Sequence, residues 1–91
     1  MPTVRSYPVH YRRSRGGGVG HLVLGATDLS LFDRAGNPVY SWDRDRARIK
    51  IWDTRRRVQI KSYRIELDSE ADWMQLSGAL LRSGQVALLR K

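Results

Sequence analysis

The stretch Arg46-Ala47-Arg48-Ile49-Lys50-Ile51-Trp52-Asp53 switches between cationic and apolar residues at almost every step. Successive side chains of an extended chain point to opposite faces. Ala47, Ile49 and Ile51 therefore share one face, and Arg46, Arg48, Lys50 and Trp52 share the other. A helix would scatter both sets around its axis. The stretch predicts a half-buried strand with an apolar inner face and a cationic outer face. Along that outer face, cations recur about every 7 Å, a row that an anionic peptide, headgroup or nucleic-acid backbone neutralises. A solvated outer face is the plainer alternative. Trp52 suits an interface or ring stacking if exposed, and the core if the alternation slips near the turn.

On the N-terminal side, residues 3–13 also alternate, with Tyr7, Val9 and Tyr11 on one face. Pro8 lacks a ladder donor, which predicts an edge or bent strand. Gly16, Gly17, Gly18 and Gly20 then read as a mobile turn with Arg12, Arg13 and Arg15 on its near shoulder. Further strands are expected at 21–27, with a bulge or bend at Gly25, and at 29–32. Asp33-Arg-Ala-Gly-Asn37 reads as a hairpin turn, followed by a strand at 39–42. Asp43–Asp45 is a short polar link into the opening stretch.

On the C-terminal side, Thr54-Arg55-Arg56 turns the chain, and Arg55, Arg56 and Arg57 form a continuous run of cations able to fork a phosphate. Val58 and Ile60 face inward, and then Tyr63, Ile65 and Leu67 continue out of phase. That slip requires a turn or bulge at Lys61-Ser62, dividing strands 57–61 and 63–67. After Asp68 the period changes. Ser69, with Asp72 three residues on, resembles a capping box. Trp73, Met74, Leu76, Ser77, Leu80 and Leu81 then fall on one side of a helix expected over about 69–83, with Gly84 as its stop. The apolar tail Val86–Leu89 is free either to pack back on the domain or to bury against a second copy or another chain. The expectation is one domain over 1–91: a mostly β sandwich or partly open barrel of seven strands, capped by a C-terminal helix.

Composition sets the class of partner. The 91 residues allow one core. With 17 Lys and Arg against 9 Asp and Glu, the net charge is +8, which favours acidic partners. Arginine dominates, and its fork binds phosphate and carboxylate bidentately. Cysteine is absent, so there is no disulfide framework or thiolate site, and a reducing compartment fits. Apolar runs are too short to span a bilayer. Met1–Arg15 is basic without an apolar centre, unlike a secretory signal. His10 and His21 show no catalytic or zinc-type spacing, and the glycines are not followed by Gly-Lys-Ser/Thr. No enzyme, cofactor or metal site is expected.

Strands followed by a closing amphipathic helix resemble the pleckstrin-homology superfold. The closer resemblance is to the third lobe of FERM domains and to phosphotyrosine-binding domains of the insulin-receptor-substrate type. Leu24-Gly-Ala-Thr-Asp-Leu-Ser-Leu-Phe-Asp-Arg-Ala-Gly-Asn-Pro-Val-Tyr-Ser-Trp42, then Ile49-Lys-Ile-Trp-Asp53, carry it, with Arg57–Leu67 and Trp73–Leu81 matching the last two strands and helix. The loop at Lys61-Ser62 is shorter than in those families, and the other FERM lobes are absent.

The resemblance implies a docking or adaptor module that is cytoplasmic or peripheral at a membrane. An acidic or phosphorylated peptide would add beside the fifth strand at Arg46, Arg48, Lys50 and Trp52. An anionic phosphoinositide headgroup would bind Arg12, Arg13 and Arg15. The Arg55–Arg57 turn is a further phosphate or lipid candidate, on its charge alone. Nucleic-acid binding by a small β barrel, and a structural subunit joined through 85–91, are the alternatives.

Overall fold

The computed structural model describes residues 4–82 and 86–89, so the expected strand start at Thr3 and helix stop at Gly84 lie outside the described residues. The chain is mostly β with one helix near the C-terminus. In chain order the elements are β1 (Arg5–Arg13), β2 (Gly16–Leu24), β3 (Asp28–Asp33), β4 (Pro38–Asp43) and β5 (Ile49–Trp52). A single 3-10 turn (Asp53–Arg55), β6 (Arg57–Ile60), β7 (Tyr63–Glu66), α1 (Glu70–Leu81) and β8 (Val86–Leu89) follow. The strands form one curled half-barrel sheet in the order β4-β3-β2-β1-β7-β6-β5-β8. The expected seven strands are thus eight, because the apolar tail packs back as β8.

Tyr7 and Val9 of β1, Ile49 and Ile51 of β5, Val58 and Ile60 of β6, and Tyr63 and Ile65 of β7 all point into the core, as their alternation requires. β1 is not the edge strand that Pro8 suggested. It pairs with β2 along its whole length, and with β7 through His10, Tyr11 and Arg12. Pro8 lies beyond that β7 pairing, so its missing N–H removes no bond on that side.

The glycine run is also not a loose turn. The turn is Ser14-Arg15, and Gly16–Gly20 opens β2. A Cβ at Gly20 would overlap the Phe32 carbonyl, so glycine lets β2 and β3 approach there. At its other end β2 stops at Leu24, short of the expected 27, where Gly25 donates to the Asp28 carbonyl at 2.9 Å and Ala26 lies exposed in the turn.

Helix α1 closes one end of the half-barrel. Ser69 accepts from the Asp72 N–H at 3.3 Å, satisfying a first-turn donor. Trp73, Leu76 and Leu80 enter the core. The expected face is narrower than read: Met74 is 67% exposed, and Leu81 is exposed too. Trp73 Nε1 donates to Asp53 at 2.8 Å, tying the helix to the turn after β5. Arg44 donates to the Gly25 carbonyl at 2.6 Å and the Ala79 carbonyl at 3.5 Å, holding the other flank. Because the pairings of β1 to β4 and β5 to β7 are antiparallel, the β1–β2, β3–β4 and β6–β7 turns gather at the end away from α1.

Candidate anion-binding site

Outward side chains of β1 and β7 meet at that end. Tyr11 and Ile65, opposite each other, face inward, so the next pair, Arg12 and Arg64, faces outward. The row continues through Gln59 of β6 to Lys50 of β5. Like charges directly opposite in a ladder are destabilising. Among the described residues, the ion pairs are His10–Asp68 at 2.8 Å and Arg57–Glu66 at 3.6 Å. Neither neutralises Arg12 or Arg64.

Above this pair the surface hollows into a concavity of about 460 Å³, lined by Arg12, Arg13, Ser14, Gln59, Ser62 and Arg64. Arg13, the last residue of β1, also lines it. Its guanidinium donates to the Tyr63 hydroxyl at 3.1 Å and lies 5.9 Å from the centre of that ring. Tyr63 is buried, so Arg13 is held against a fixed wall. Gln59 donates to the Lys61 carbonyl at 3.3 Å, bracing the β6–β7 turn. The lining thus includes three arginines and two serines and no acidic residue. That donor set suits a phosphate or another oxyanion.

The expected site residues are only partly brought together. Arg12 and Arg13 line the concavity, whereas Arg15 is exposed in the adjoining turn and does not. Arg55, Arg56 and Arg57 lie at the other end of β6 and form no common site with them. Arg57 is half-buried against Glu66, while Arg56 lines a groove against α1 with Glu70 and Trp73. Arg64, Ser14, Ser62 and Gln59 were missed by the sequence reading. Arg64 was legible as an outward residue between Tyr63 and Ile65, but its position opposite Arg12 was not.

The peptide row needs a larger correction. β5 begins only at Ile49, so Arg46 and Arg48, both exposed, precede the strand and make no ladder row with Lys50. Arg46 sits in a turn, where the Asp43 carbonyl accepts from Arg46 N–H at 3.3 Å and from Ala47 N–H at 2.9 Å. Lys50 does face outward, and Trp52 is half-buried. The edge of β5 is taken by β8, parallel and in register from Ile49–Val86 to Trp52–Leu89. An incoming strand cannot add there while β8 is paired. Trp42 and Trp73 are core residues.

No family model, curated protein or solved structure matches this chain.

Proposed function

We propose that this chain is a non-enzymatic docking module of the pleckstrin-homology kind, which grips a phosphate-bearing lipid headgroup in the Arg12–Arg13–Arg64 concavity. The observation that carries this reading is the Arg12–Arg64 pair: two guanidinium groups opposite each other in one ladder, with no carboxylate between them. Such a pair is a cost to the fold unless an anion occupies it. The strand order and closing helix support the comparison with that superfold.

Two features favour a headgroup over an acidic or phosphorylated peptide. The β5 edge, where a peptide strand would add, is covered by β8. The three turns gathered at the open end carry Arg15, Arg34 and Lys61, a cationic surface suited to a flat anionic membrane. The proposed association is peripheral, at a cytoplasmic membrane surface; no helix among the described residues is long and apolar enough to cross a membrane.

Flotation with phosphatidylcholine vesicles containing a phosphoinositide, against vesicles of equal charge made with phosphatidylserine, tests the reading. Loss of a charged hydrogen-bonding partner typically costs about tenfold or more in affinity. Arg12→Gln and Arg64→Gln should each weaken phosphoinositide binding by about that factor. Binding that tracks vesicle charge alone and ignores both substitutions would overturn it. Tighter binding to a phosphopeptide than to the vesicles would assign the concavity to a protein partner instead.

A further inference from the structure

The sheet has two edges, β4 at one end of the strand order and β8 at the other. An edge strand leaves backbone N–H and C=O groups without ladder partners, a template for another strand unless something guards it. β4 is guarded. It opens on Pro38, which has no N–H to offer, and its ladder to β3 shifts register between Leu31 and Phe32. It ends in the carboxylate of Asp43. β8 is Val86-Ala-Leu-Leu89, with no charge, no proline and no shift in its pairing with β5. We infer that a second copy of this chain docks at the β8 edge, its own β8 running antiparallel about a two-fold axis, so that two half-barrels share one sheet. This goes beyond the headgroup reading and does not depend on it, since β5 and β6 separate β8 from Arg64 of β7.

The side chains of β8 suit a copy of themselves. Leu88 is in register with Ile51 and so shares its core-facing side. Ile51 is fully buried, whereas Leu88 is 46% exposed, because nothing within the chain lies beyond β8. With the axis at Ala87, Val86 of each copy lies opposite Leu88 of the other. The two positions differ by two residues, so both face the core side and cover each other. The contact is self-complementary and closes after two copies. Pairing of β8 with the β4 edge of another copy would instead extend without limit, and the guards on β4 oppose it.

Charge permits the approach here although each copy carries +8. The cation in register with Ala87 is Lys50 of β5. In the paired sheet, the two Lys50 residues are three strand spacings apart, about 14 Å. That exceeds the screening length of about 8 Å at physiological ionic strength. The arginine concavities lie further out on each half and stay open.

The test is sedimentation of the full chain from micromolar to millimolar concentration at physiological ionic strength. It should show a monomer–dimer equilibrium and no larger species. A four-residue ladder is a small interface, so the dimer is a weak one. Leu88→Lys sets a charge against Val86 of the other copy, and because Leu88 is exposed it leaves the monomer folded. It should weaken the dimer about tenfold or more. Met74→Lys, on the exposed side of α1, should change nothing. The chain has no cysteine, so Ala87→Cys puts a lone thiol on the axis. Mild oxidation should join two copies of that variant and leave Met74→Cys monomeric. A chain that stays monomeric to millimolar concentration overturns the inference. So does a dimer that survives Leu88→Lys or is dissolved by Met74→Lys, an Ala87→Cys chain that cross-links no faster than Met74→Cys, or growth into larger assemblies.

Discussion

Arg64→Gln should make the protein more stable and a poorer binder at once. Arg64 and Arg12 are directly opposite in the β1–β7 ladder, and the substitution keeps a polar though shorter side chain while removing one charge. Two unit charges about 5 Å apart in bulk water repel by roughly 0.8 kcal/mol. Both side chains are exposed and long enough to splay, so about half of that survives as a net effect. For a domain of this size, 1 kcal/mol moves Tm by about 4–8 °C, which puts the variant about 2–3 °C above the parent at low salt. In about 0.5 M salt the screening length falls to roughly 4 Å and the gain disappears. Binding to phosphate-bearing vesicles should fall about tenfold over the same substitution. Paired thermal melts at low and high salt, with flotation alongside, read out both effects. A variant that melts lower than the parent at low salt, or whose gain persists at high salt, refutes the electrostatic reasoning.

Two further substitutions probe the core and the sheet. Tyr7 is 2% exposed, and its hydroxyl is buried without a partner. Burial raises its pKa above 10.0, Arg5 opposes the shift, and Asp72 adds to it. The folded chain therefore holds this proton after the unfolded chain has released it, so stability falls as pH rises above 10. Tyr7→Phe should remove that share of the alkaline loss and leave neutral-pH stability equal or higher, because it breaks no hydrogen bond. Urea melts across the alkaline range check it, and identical alkaline slopes for parent and variant would contradict it. Gly20→Ala forces a Cβ into the Phe32 backbone and should cost about 1–3 kcal/mol. Gly78→Ala, in open space on α1, should instead gain about 1 kcal/mol. Urea midpoints that move in the same direction would show that the close approach of β2 and β3 is not what glycine serves.

How much of this was legible depended on whether side chains carried the signal. Ile49 and Ile51, Tyr7 and Val9, and the phase slip at Lys61-Ser62 declared strands, because a half-buried ladder imposes period two. Ser69 and Asp72 declared the helix start. Gly16–Gly20 did not declare β2, because glycine has no side chain to alternate. Arg46 looked like strand because its spacing continued the pattern, yet Asp43 uses its own carbonyl and carboxylate to fold a turn there. Val86–Leu89 was too short to show whether it would join the sheet. The site was half visible. Arg12 and Arg13 stood beside a turn, but which strand lies next to β1 is a tertiary fact, and without it Arg64 was one outward arginine among many.

The junction of β1 with β7 also has a kinetic meaning. On either side of it lie two meanders of chain neighbours, β1 through β4 and β5 through β7, with β8 added in parallel at the far edge of β5. Only the junction brings residues near His10 to residues near Glu66. Local ribbons form early, and bringing distant segments together carries the larger entropic cost, so this closure is where the folding barrier belongs. The arginine concavity straddles that junction. Neither meander alone can offer it, and an anion that binds there recognises only the completed fold, stabilising it by mass action while leaving half-assembled states untouched.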